Sequence, residues 1–356
     1  MKILAIESSC DETSAAIVIG EKKHPKADVI SNITASSLSL HSKTGGIIPE
    51  IAAREQIRFI TPVISEALEK ANISFSPQKP PGIDAIAVTI GPGLIGSLLV
   101  GIETARTLSY IWNKPIVPIN HLIGHIYANF VSKISNPNLP AGEQIVNKRI
   151  EFPAIVLVVS GGHTDLIVMI GHGKMKWLGG TRDDASGEAF DKIGRLLDLP
   201  YPGGPSIEKE ALKGNEKAIN FPRPLIGSHD FDFSFSGLKS AVLREVKDKK
   251  LNKKEVADIS ASVQKAITDV LVKKTLKAAE KYKAKSILLS GGVAANDKLR
   301  QQFGLEIDRQ MADLKFFAPA KSLCTDNAAM IGAAAIYNYR EEFWKNIVVN
   351  PELYFN

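Results

Sequence analysis

This sequence lacks three features that many proteins carry: a set of cysteines for disulfides, a membrane-spanning stretch and a signal peptide. The 356 residues include only two cysteines, Cys10 and Cys324, which are too few for a disulfide framework and indicate a reducing cytoplasm. No uncharged stretch approaches the roughly 18 apolar residues that a membrane-spanning helix needs. The first apolar run meets Glu7 at once, which is typical of a buried strand and not of a signal peptide. We therefore expect a cytoplasmic protein without a membrane partner.

The composition is that of a folded globular protein. Hydrophobic residues make up 44% of the chain and charged residues 23%. A chain of this length buries a large core, and we expect it to form two lobes of ordinary domain size. The net charge of +6 is compatible with a polyanionic partner such as RNA but does not require one.

The stretch His121-Leu122-Ile123-Gly124-His125 holds two potential metal ligands. Histidines four residues apart lie on one face of a helix, so both imidazoles can reach one metal ion. A catalytic metal site usually takes three ligands from the protein, so the pair alone is equally compatible with two ordinary core or surface histidines. A metallopeptidase of the His-Glu-x-x-His type needs a general-base glutamate after the first histidine, where this chain has Leu122.

A carboxylate near the C-terminus offers a third ligand. Thr325 and Asp326 precede a run of small and apolar residues that indicates a closely packed helix. Either residue could be the N-cap of that helix. Asp326 could equally complete a metal site with the two histidines.

The order of predicted elements is repeated along the chain. An apolar strand, a hydroxyl-rich turn and a second apolar strand occur at 2–19 and again at 154–170, and a strand, a glycine turn and a helix occur at 84–112 and again from Ser286. Repeated units of this kind predict two halves built alike, with the two hairpin turns facing each other across a cleft that holds one nucleotide. The first turn suits a phosphate or its Mg²⁺, although a hydrophilic turn is also common. We interpret 132–148 as a surface loop that could be an insertion.

Ten short stretches from the first predicted strand to the last predicted helix form a specific set: Glu7–Thr13, Gly45–Glu50, Gly91–Leu94, His121–His125, Ser160–Thr164, Gly187–Lys192, Tyr201–Pro205, Asp232–Lys239, Ser290–Asn296 and Cys324–Met330. Together they resemble the bacterial TsaD-type tRNA threonylcarbamoyladenosine transferases. The resemblance implies an α/β, two-lobed actin-like (ASKHA) ATPase fold, in which duplicated mixed-sheet lobes flank a nucleotide cleft. We expect one lobe at 1–120 plus 326–356, and a second lobe at 121–325 with the metal and adenylate site.

The resemblance also implies an activity and a metal site. Such enzymes transfer the threonylcarbamoyl group from threonylcarbamoyl-AMP to N6 of the adenosine adjacent to the anticodon, in tRNAs that read codons beginning with A. One divalent metal ion, iron in preference to zinc, would be bound by His121, His125 and Asp326. Asp11 and Glu12 would act as catalytic residues on the phosphate and metal side. Mg²⁺ is a further candidate, together with ATP or the adenylate.

The same resemblance assigns the adenylate site and the partners. The expected contacts with the adenylate and its nucleoside are Val158, Val159, Ser160, Gly161, Gly162, Asp191, Gly204, Glu208 and Asn296. Asp191 would accept a hydrogen bond from a ribose hydroxyl, and Gly204 would let the ligand pack on the backbone. The implied partners are tRNA, threonylcarbamoyl-AMP, a paralogous dimerisation subunit of the TsaB type and a small ATPase of the TsaE type.

Two other functions stay open on the residues alone. An actin-like small-molecule kinase would use the same fold, but it would need a catalytic aspartate near the substrate hydroxyl and would not need the histidine pair. A nucleotide-dependent scaffold would use the basic surface to recruit partners and would show no turnover.

Overall fold

A computed structural model describes residues 1–21, 26–74, 80–134 and 149–355. The chain divides into two compact units, Met1–Lys148 with Pro319–Asn356, and Arg149–Ala318. In the described ranges, no helix has both the length and the apolar character to cross a membrane. The predicted loop at 132–148 falls mostly outside these ranges, since residues 132–134 belong to a strand and the remainder is not described.

The first unit is built on a six-stranded mixed sheet in the order β5-β4-β1-β2-β3-β6. Its strands are β1 (Lys2–Glu7), β2 (Glu12–Ile19), β3 (Ala27–Ser36), β4 (Ala85–Gly91), β5 (Ile116–Asn120) and β6 (Val131–Ile134). Its helices are α1 (Leu38–Thr44), α2 (Pro49–Lys70), α3 (Ile95–Trp112), α4 (His121–Tyr127) and, from the C-terminal segment, α10 (Ala328–Tyr337).

Alternation along β1 divides the core of this unit into two layers, because successive side chains of a strand point to opposite faces of the sheet. Leu4 and Ile6 pack with the apolar stripe of α2, which includes Ile60, and with α3. Ala5 faces α10 on the other side, where Gly332 lies close to it. The strand is buried on both faces, which is why its sequence is a continuous apolar run.

The second unit contains a five-stranded mixed sheet in the order β11-β10-β7-β8-β9. Its strands are β7 (Ala154–Val159), β8 (Thr164–Gly171), β9 (Lys174–Gly180), β10 (Ser286–Ser290) and β11 (Lys315–Phe317). Its helices are α5 (Ser186–Leu196), α6 (Gly203–Ala211), α7 (Ser236–Val246), α8 (Lys253–Lys281) and α9 (Asp297–Gln310). The longest helix among the described residues is α8, which begins with a capping box formed by Asn252 and Glu255.

The repeat expected from the sequence is present in the strand pairing. β1 pairs antiparallel with β2 and parallel with β4, and β7 pairs antiparallel with β8 and parallel with β10. The outer strands also correspond, since β4–β5 and β10–β11 are parallel while β2–β3 and β8–β9 are antiparallel. The two sheets therefore share a five-strand core of the same order and direction, and β6 is an addition to the first.

The unit boundaries correct the predicted lobes. We expected the histidine motif and residues up to 325 in the second lobe, whereas α4 and the segment from Pro319 belong to the first unit. The reason is local packing. β5 is a strand of the first sheet and runs directly into α4, and a Cβ on Gly124 would lie 2.6 Å from Ile331 of α10. The predicted metal ligands thus lie in the first unit, and the predicted adenylate residues lie in the second.

The tight contact of α10 with the first sheet gives a stability prediction. A Cβ on Gly332 would lie 2.4 Å from Val18 Cγ2, so we expect Gly332→Ala to lower the free energy of unfolding by about 1–3 kcal/mol through overpacking. The matched control is Gly304→Ala in α9, where a Cβ meets no atom within 4 Å. That change should be neutral or should stabilise by up to about 1 kcal/mol. Urea unfolding measures the free energy of unfolding of both variants. Equal values for Gly332→Ala and Gly304→Ala would contradict the close contact of α10 with the first sheet.

Candidate functional site

The two histidines of the predicted motif are presented by the start of α4. The helix begins where β5 ends, because the Asn120 side chain accepts hydrogen bonds from the backbone N–H groups of Leu122 and Ile123 at 2.8 and 3.3 Å. His121 is therefore the first helical residue, and His125 follows one turn later. Both side chains are buried, and their ring centroids are 4.6 Å apart.

Asp326 lies beside both imidazoles. Its Oδ1 is 3.4 Å from His121 Nε2 and 3.2 Å from His125 Nε2. One ligand atom from each of the three residues lies within 4.8 Å of the other two. The alternative role of Asp326 as an N-cap is wrong, since the cap of α10 is Asn327, whose side chain accepts from Met330 N at 3.0 Å. The structure brings together the three side chains predicted to bind a metal.

Glu7 holds the other nitrogen of His121, a contact that sequence reasoning missed. Its Oε2 is 3.1 Å from His121 Nδ1, and Ser9 Oγ is also 3.1 Å from that nitrogen. The glutamate lies at the end of β1 and is fully buried. The sequence did contain a signal for this contact. Glu7 ends an otherwise apolar strand, and a charged residue is rarely buried without a partner.

In this cluster, His121 and its carboxylate neighbours shift the pKa of one another in the direction opposite to the effect of burial. Burial by itself raises the pKa of Asp326, but His121 and His125 outweigh it and leave that pKa well below its ordinary value. Burial lowers the pKa of His121, but Asp326 and Glu7 outweigh it and raise the pKa well above the ordinary range. His121 also keeps the pKa of Glu7 below its ordinary value in spite of burial. His121 and the carboxylates of Asp326 and Glu7 thus favour the charged forms of one another within the cluster.

The two predicted catalytic acids lie in the turn between β1 and β2. Asp11 is buried, and its backbone carbonyl accepts from Ser37 N at 3.1 Å and from Ser37 Oγ at 2.9 Å. Glu12 accepts from Ser36 Oγ at 3.4 Å. Burial, Asp326 and Asp11 together raise the pKa of Glu12 to about 10. Glu12 therefore belongs to the electrostatic surroundings of Asp326, and neither acid is one of the three clustered ligands.

Gln56 fixes the shape of this turn and is a second residue that sequence reasoning missed. Its Nε2 donates to the backbone carbonyls of Ser8, Cys10 and Glu12 at 3.2, 2.8 and 3.2 Å. The signal was its spacing, because it lies four residues before Ile60 on the buried stripe of α2 and so is a polar residue at a core position. Burial raises the pKa of Cys10, so its surroundings do not activate this thiol as a nucleophile.

The residues of the cluster fit a divalent metal ion. Two imidazole nitrogens and one carboxylate oxygen are a donor set typical of catalytic zinc and of non-haem iron(II). Four carboxylates, those of Glu7, Asp11, Glu12 and Asp326, accompany two imidazoles. Burial, followed by the charges of Asp326 and Asp11, raises the pKa of Glu12, and the contribution of those two carboxylates reflects an excess of negative charge beside the cluster. A bound cation would neutralise it.

In the second unit, the predicted adenylate turn follows a buried strand. Val158 and Val159 are fully buried in β7, so their predicted contacts with a ligand stay predictions. Beyond them, a Cβ on Gly161 or Gly162 would meet no atom within 4 Å. The same is true of Gly292, which follows the neighbouring parallel strand β10. Two adjacent parallel strands thus end in glycine turns beside open space, the position where ligands bind in open α/β sheets.

Helix α5 packs against this turn from behind. Gly187 N donates to Ser160 O at 3.2 Å, and Ser186 N donates to Thr164 Oγ1 at 2.8 Å. A Cβ on Gly187 would lie 2.5 Å from Ser160 O, so only glycine permits this approach. The turn is therefore held rigidly by the second unit while its own glycines stay uncovered.

Asp191 has a structural partner at the start of α6. Its Oδ1 accepts from Gly203 N at 2.7 Å, and burial raises the pKa of the carboxyl although the N–H groups of Gly203 and Gly204 oppose the shift. The glycine that packs on the backbone is Gly203, where a Cβ would lie 2.5 Å from Phe190 O. At Gly204 the nearest atom to a Cβ is 3.9 Å away, so the protein itself does not require glycine there. The predicted ligand contacts of Asp191 and Gly204 stay predictions.

Glu208 and Asn296 meet at the start of α9. Glu208 Oε1 accepts from Asp297 N at 2.7 Å, and Asn296 Oδ1 accepts from Leu299 N at 2.9 Å. Both side chains therefore satisfy backbone N–H groups that the helix leaves unpaired. The structure brings the two residues together as helix caps, and their predicted contacts with a nucleoside stay predictions.

Comparison with solved structures defines the class of fold. Two structures of HypF superpose on this chain with TM-scores of 0.57 and 0.58 at 12% and 14% identity, and both matches cover 94% of this chain. One is described as the full-length protein in its phosphate- and nucleotide-bound form, and the other is from T. kodakarensis. The chain spans about half the length of each, 46% and 47%. The predicted α/β fold of the actin-like class, with two mixed-sheet units, is confirmed.

Sequence comparison identifies the family within this class. A family model described as TsaD, tRNA N6-adenosine threonylcarbamoyltransferase, matches residues 28–333. Proteins named tRNA N6-adenosine threonylcarbamoyltransferase are 49% identical in Moorella thermoacetica, over 99% of this chain and 97% of that protein, and 48% identical in Symbiobacterium thermophilum, over 95% and 92%. The chain belongs to the TsaD family and is a transferase.

Proposed function

We propose that this enzyme transfers the threonylcarbamoyl group from threonylcarbamoyl-AMP to N6 of the adenosine adjacent to the anticodon, in tRNAs that read codons beginning with A. The observation that carries the proposal is the cluster of buried His121 and His125 with half-buried Asp326 in a chain of this family. A small-molecule kinase of the same fold has no use for such a cluster, and a scaffold has no use for any catalytic group.

The reaction needs positioning more than it needs a protein nucleophile. Threonylcarbamoyl-AMP is a mixed anhydride, so AMP already serves as the leaving group. The N6 amine forms a bond to the carbamoyl carbon, the bond from that carbon to the phosphate oxygen breaks, and the amine loses one proton. A divalent metal ion held by the three residues, iron in preference to zinc, would act as a Lewis acid at the carbamoyl oxygen or the phosphate.

The remaining acids supply groups for the released proton and for the phosphate side. Asp11 and Glu12 are the acidic side chains of the turn next to the metal cluster, and the raised pKa of Glu12 supports a role in holding a proton. Gln56 keeps the backbone of that turn in place through its bonds to three carbonyls. We assign Asp11 and Glu12 as catalytic residues on this basis.

We assign the adenylate to the glycine turns of the second unit. Ser160, Gly161 and Gly162 offer a hydroxyl and uncovered main chain at the end of β7, and the main chain of Val158 and Val159 leads into it. The nucleoside side is formed by Asp191, Gly204, Glu208 and Asn296, with Asp191 accepting from a ribose hydroxyl. Mg²⁺ accompanies ATP or the adenylate where either is bound.

We further propose that the enzyme works in the cytoplasm with tRNA, a dimerisation subunit of the TsaB type and a small ATPase of the TsaE type. The net charge of +6 suits a polyanionic tRNA. Large apolar side chains on α2 and α3 are exposed, including Ile57 at 65% and Ile95 at 58%, together with Leu99. Exposed apolar groups on two packed helices support a protein partner on the first unit.

The test is reconstitution with nucleoside mass spectrometry. Purified protein, Fe²⁺ or Zn²⁺, synthetic threonylcarbamoyl-AMP and unmodified tRNA are expected to yield threonylcarbamoyladenosine, either alone or after addition of the two partner proteins. The matched control is the same tRNA with guanosine in place of the adenosine next to the anticodon, which should stay unmodified. Absence of the product with all partners present would contradict the proposal, and phosphorylation of a small alcohol would support the kinase instead.

A further inference from the structure

Glu7 is a fully buried carboxylate that the proposed chemistry does not use. We propose that Glu7 is the positioning residue of the metal site, which fixes the hydrogen of His121 on Nδ1 and so presents the Nε2 lone pair to the metal. This inference rests on the proposed role of His121 as a metal ligand. Glu7 itself does not contact the metal or the substrate in this assignment.

The hydrogen bonds around Glu7 identify which atom carries the hydrogen. Oε1 accepts from Ser9 N at 2.6 Å, and Oε2 accepts from Thr89 Oγ1 at 2.5 Å. Both carboxylate oxygens thus accept hydrogen bonds, and an acceptor oxygen needs a donor at each further contact. His121 Nδ1, which lies 3.1 Å from Oε2, must therefore donate. The Ser9 hydroxyl, 3.1 Å from the same nitrogen, can accept a share of this bond.

A donating Nδ1 leaves Nε2 of His121 free to act as a ligand, on the side where Asp326 Oδ1 lies 3.4 Å away. A carboxylate behind a metal-bound histidine also increases the basicity of the ring and fixes its orientation. The two histidine ligands differ in the hydrogen bonding of their Nδ1 atoms. In the described part of the chain, the buried Nδ1 of His125 has no hydrogen-bond partner. Glu7 therefore supports the Nδ1 side of one imidazole, and in the described part of the chain the other imidazole has no such support on its Nδ1 side.

Replacement of Glu7 by glutamine separates this role from simple space filling. The amide has nearly the same shape, but one of its two terminal atoms is a donor. If the amide nitrogen faces His121, the imidazole must accept at Nδ1 and carry its hydrogen on Nε2, where the metal should bind. If the nitrogen faces Ser9 N, two donors meet in a buried place. The first arrangement reverses the hydrogen bond to Nδ1, the second removes the charge behind His121 and leaves an unfavourable contact between donors, and neither opens a cavity.

The experiment compares metal affinity and histidine hydrogens in the full-length protein. We expect Glu7→Gln to weaken the binding of Zn²⁺, measured by competition with a chromogenic chelator, about 10- to 100-fold. The matched control is Glu66→Gln, an exposed glutamate on α2 paired with Lys70, which should bind Zn²⁺ like the wild type. In the Zn²⁺-loaded wild type, ¹⁵N-histidine NMR should show the Nδ1 proton of His121 further downfield than that of His125, and Glu7→Gln should abolish the difference.

The outcomes separate this inference from the proposed function. If the wild type binds no Zn²⁺ or Fe²⁺ while Glu7→Gln folds normally, the metal assignment itself fails. If the wild type binds the metal and folded Glu7→Gln binds it within twofold, only the role of Glu7 is overturned. Should Glu7→Gln fail to fold, Thr89→Val provides the second variant, because it removes one donor and keeps the carboxylate. Weaker metal binding by Thr89→Val supports the inference, and unchanged binding together with equal Nδ1 proton shifts overturns it.

Discussion

Asp326→Asn is expected to lose most of its bound metal and to lower the rate of threonylcarbamoyl transfer by at least about 100-fold. The carboxylate faces the Nε2 atoms of His121 and His125 at 3.4 and 3.2 Å, so it is the only anion placed to bind a cation together with both rings among the described residues. An asparagine keeps the shape but removes the charge. Its amide can also turn a donor toward the imidazoles. Metal content by elemental analysis and the single-turnover rate with tRNA would both be measured.

The control for Asp326→Asn is Asp313→Asn, in an exposed turn before β11. It carries the same chemical change and should keep the wild-type metal content and rate. If Asp326→Asn kept full metal content and an unchanged rate, the proposed metal site would be wrong. A loss of rate with full metal content would instead place Asp326 in substrate binding.

Gly161→Val and Gly292→Val are expected to fold normally and to weaken binding of the adenylate by about 10- to 100-fold, since overpacking of a filled space costs about 1–3 kcal/mol. A Cβ at either position meets no protein atom within 4 Å, so the protein itself has room for the side chain. If the adenylate occupies that space, the valine must displace it. Thermal unfolding and the affinity for a non-hydrolysable adenylate analogue would be measured together.

Two further glycines provide controls for these valine variants. Gly171→Val, at the end of β8, also adds a side chain where no atom lies within 4 Å and should leave both stability and affinity unchanged. Gly291→Val should destabilise the protein, because this residue has a φ of +90° and a Cβ would lie 2.4 Å from Val159 O. If both Gly161→Val and Gly292→Val bind the adenylate analogue with unchanged affinity, the assignment of the adenylate to these turns is wrong.

Much of the fold could be predicted from local sequence. The two hairpins and the two strand–turn–helix units were visible because each consists of a continuous apolar run followed by polar or glycine residues. The structure confirms all four and shows that the two sheets share strand order and direction. The unit boundary was not predictable in the same way. It depends on the packing of α4 against α10, which joins parts of the chain that are distant in sequence.

The candidate site also has a part that local sequence determines and a part that depends on the tertiary structure. The sequence by itself determined the pairing of His121 and His125, because a spacing of four residues on a helix is a local property. It offered Asp326 as a third ligand only as one of two alternatives, and the resemblance to a family favoured the ligand. Only the tertiary structure brought Asp326 to the imidazoles, placed Glu7 behind His121 and set Gln56 under the turn. These contacts join side chains from different strands and helices, so their geometry depends on how the sheet and its helices pack and not on any pattern along the chain.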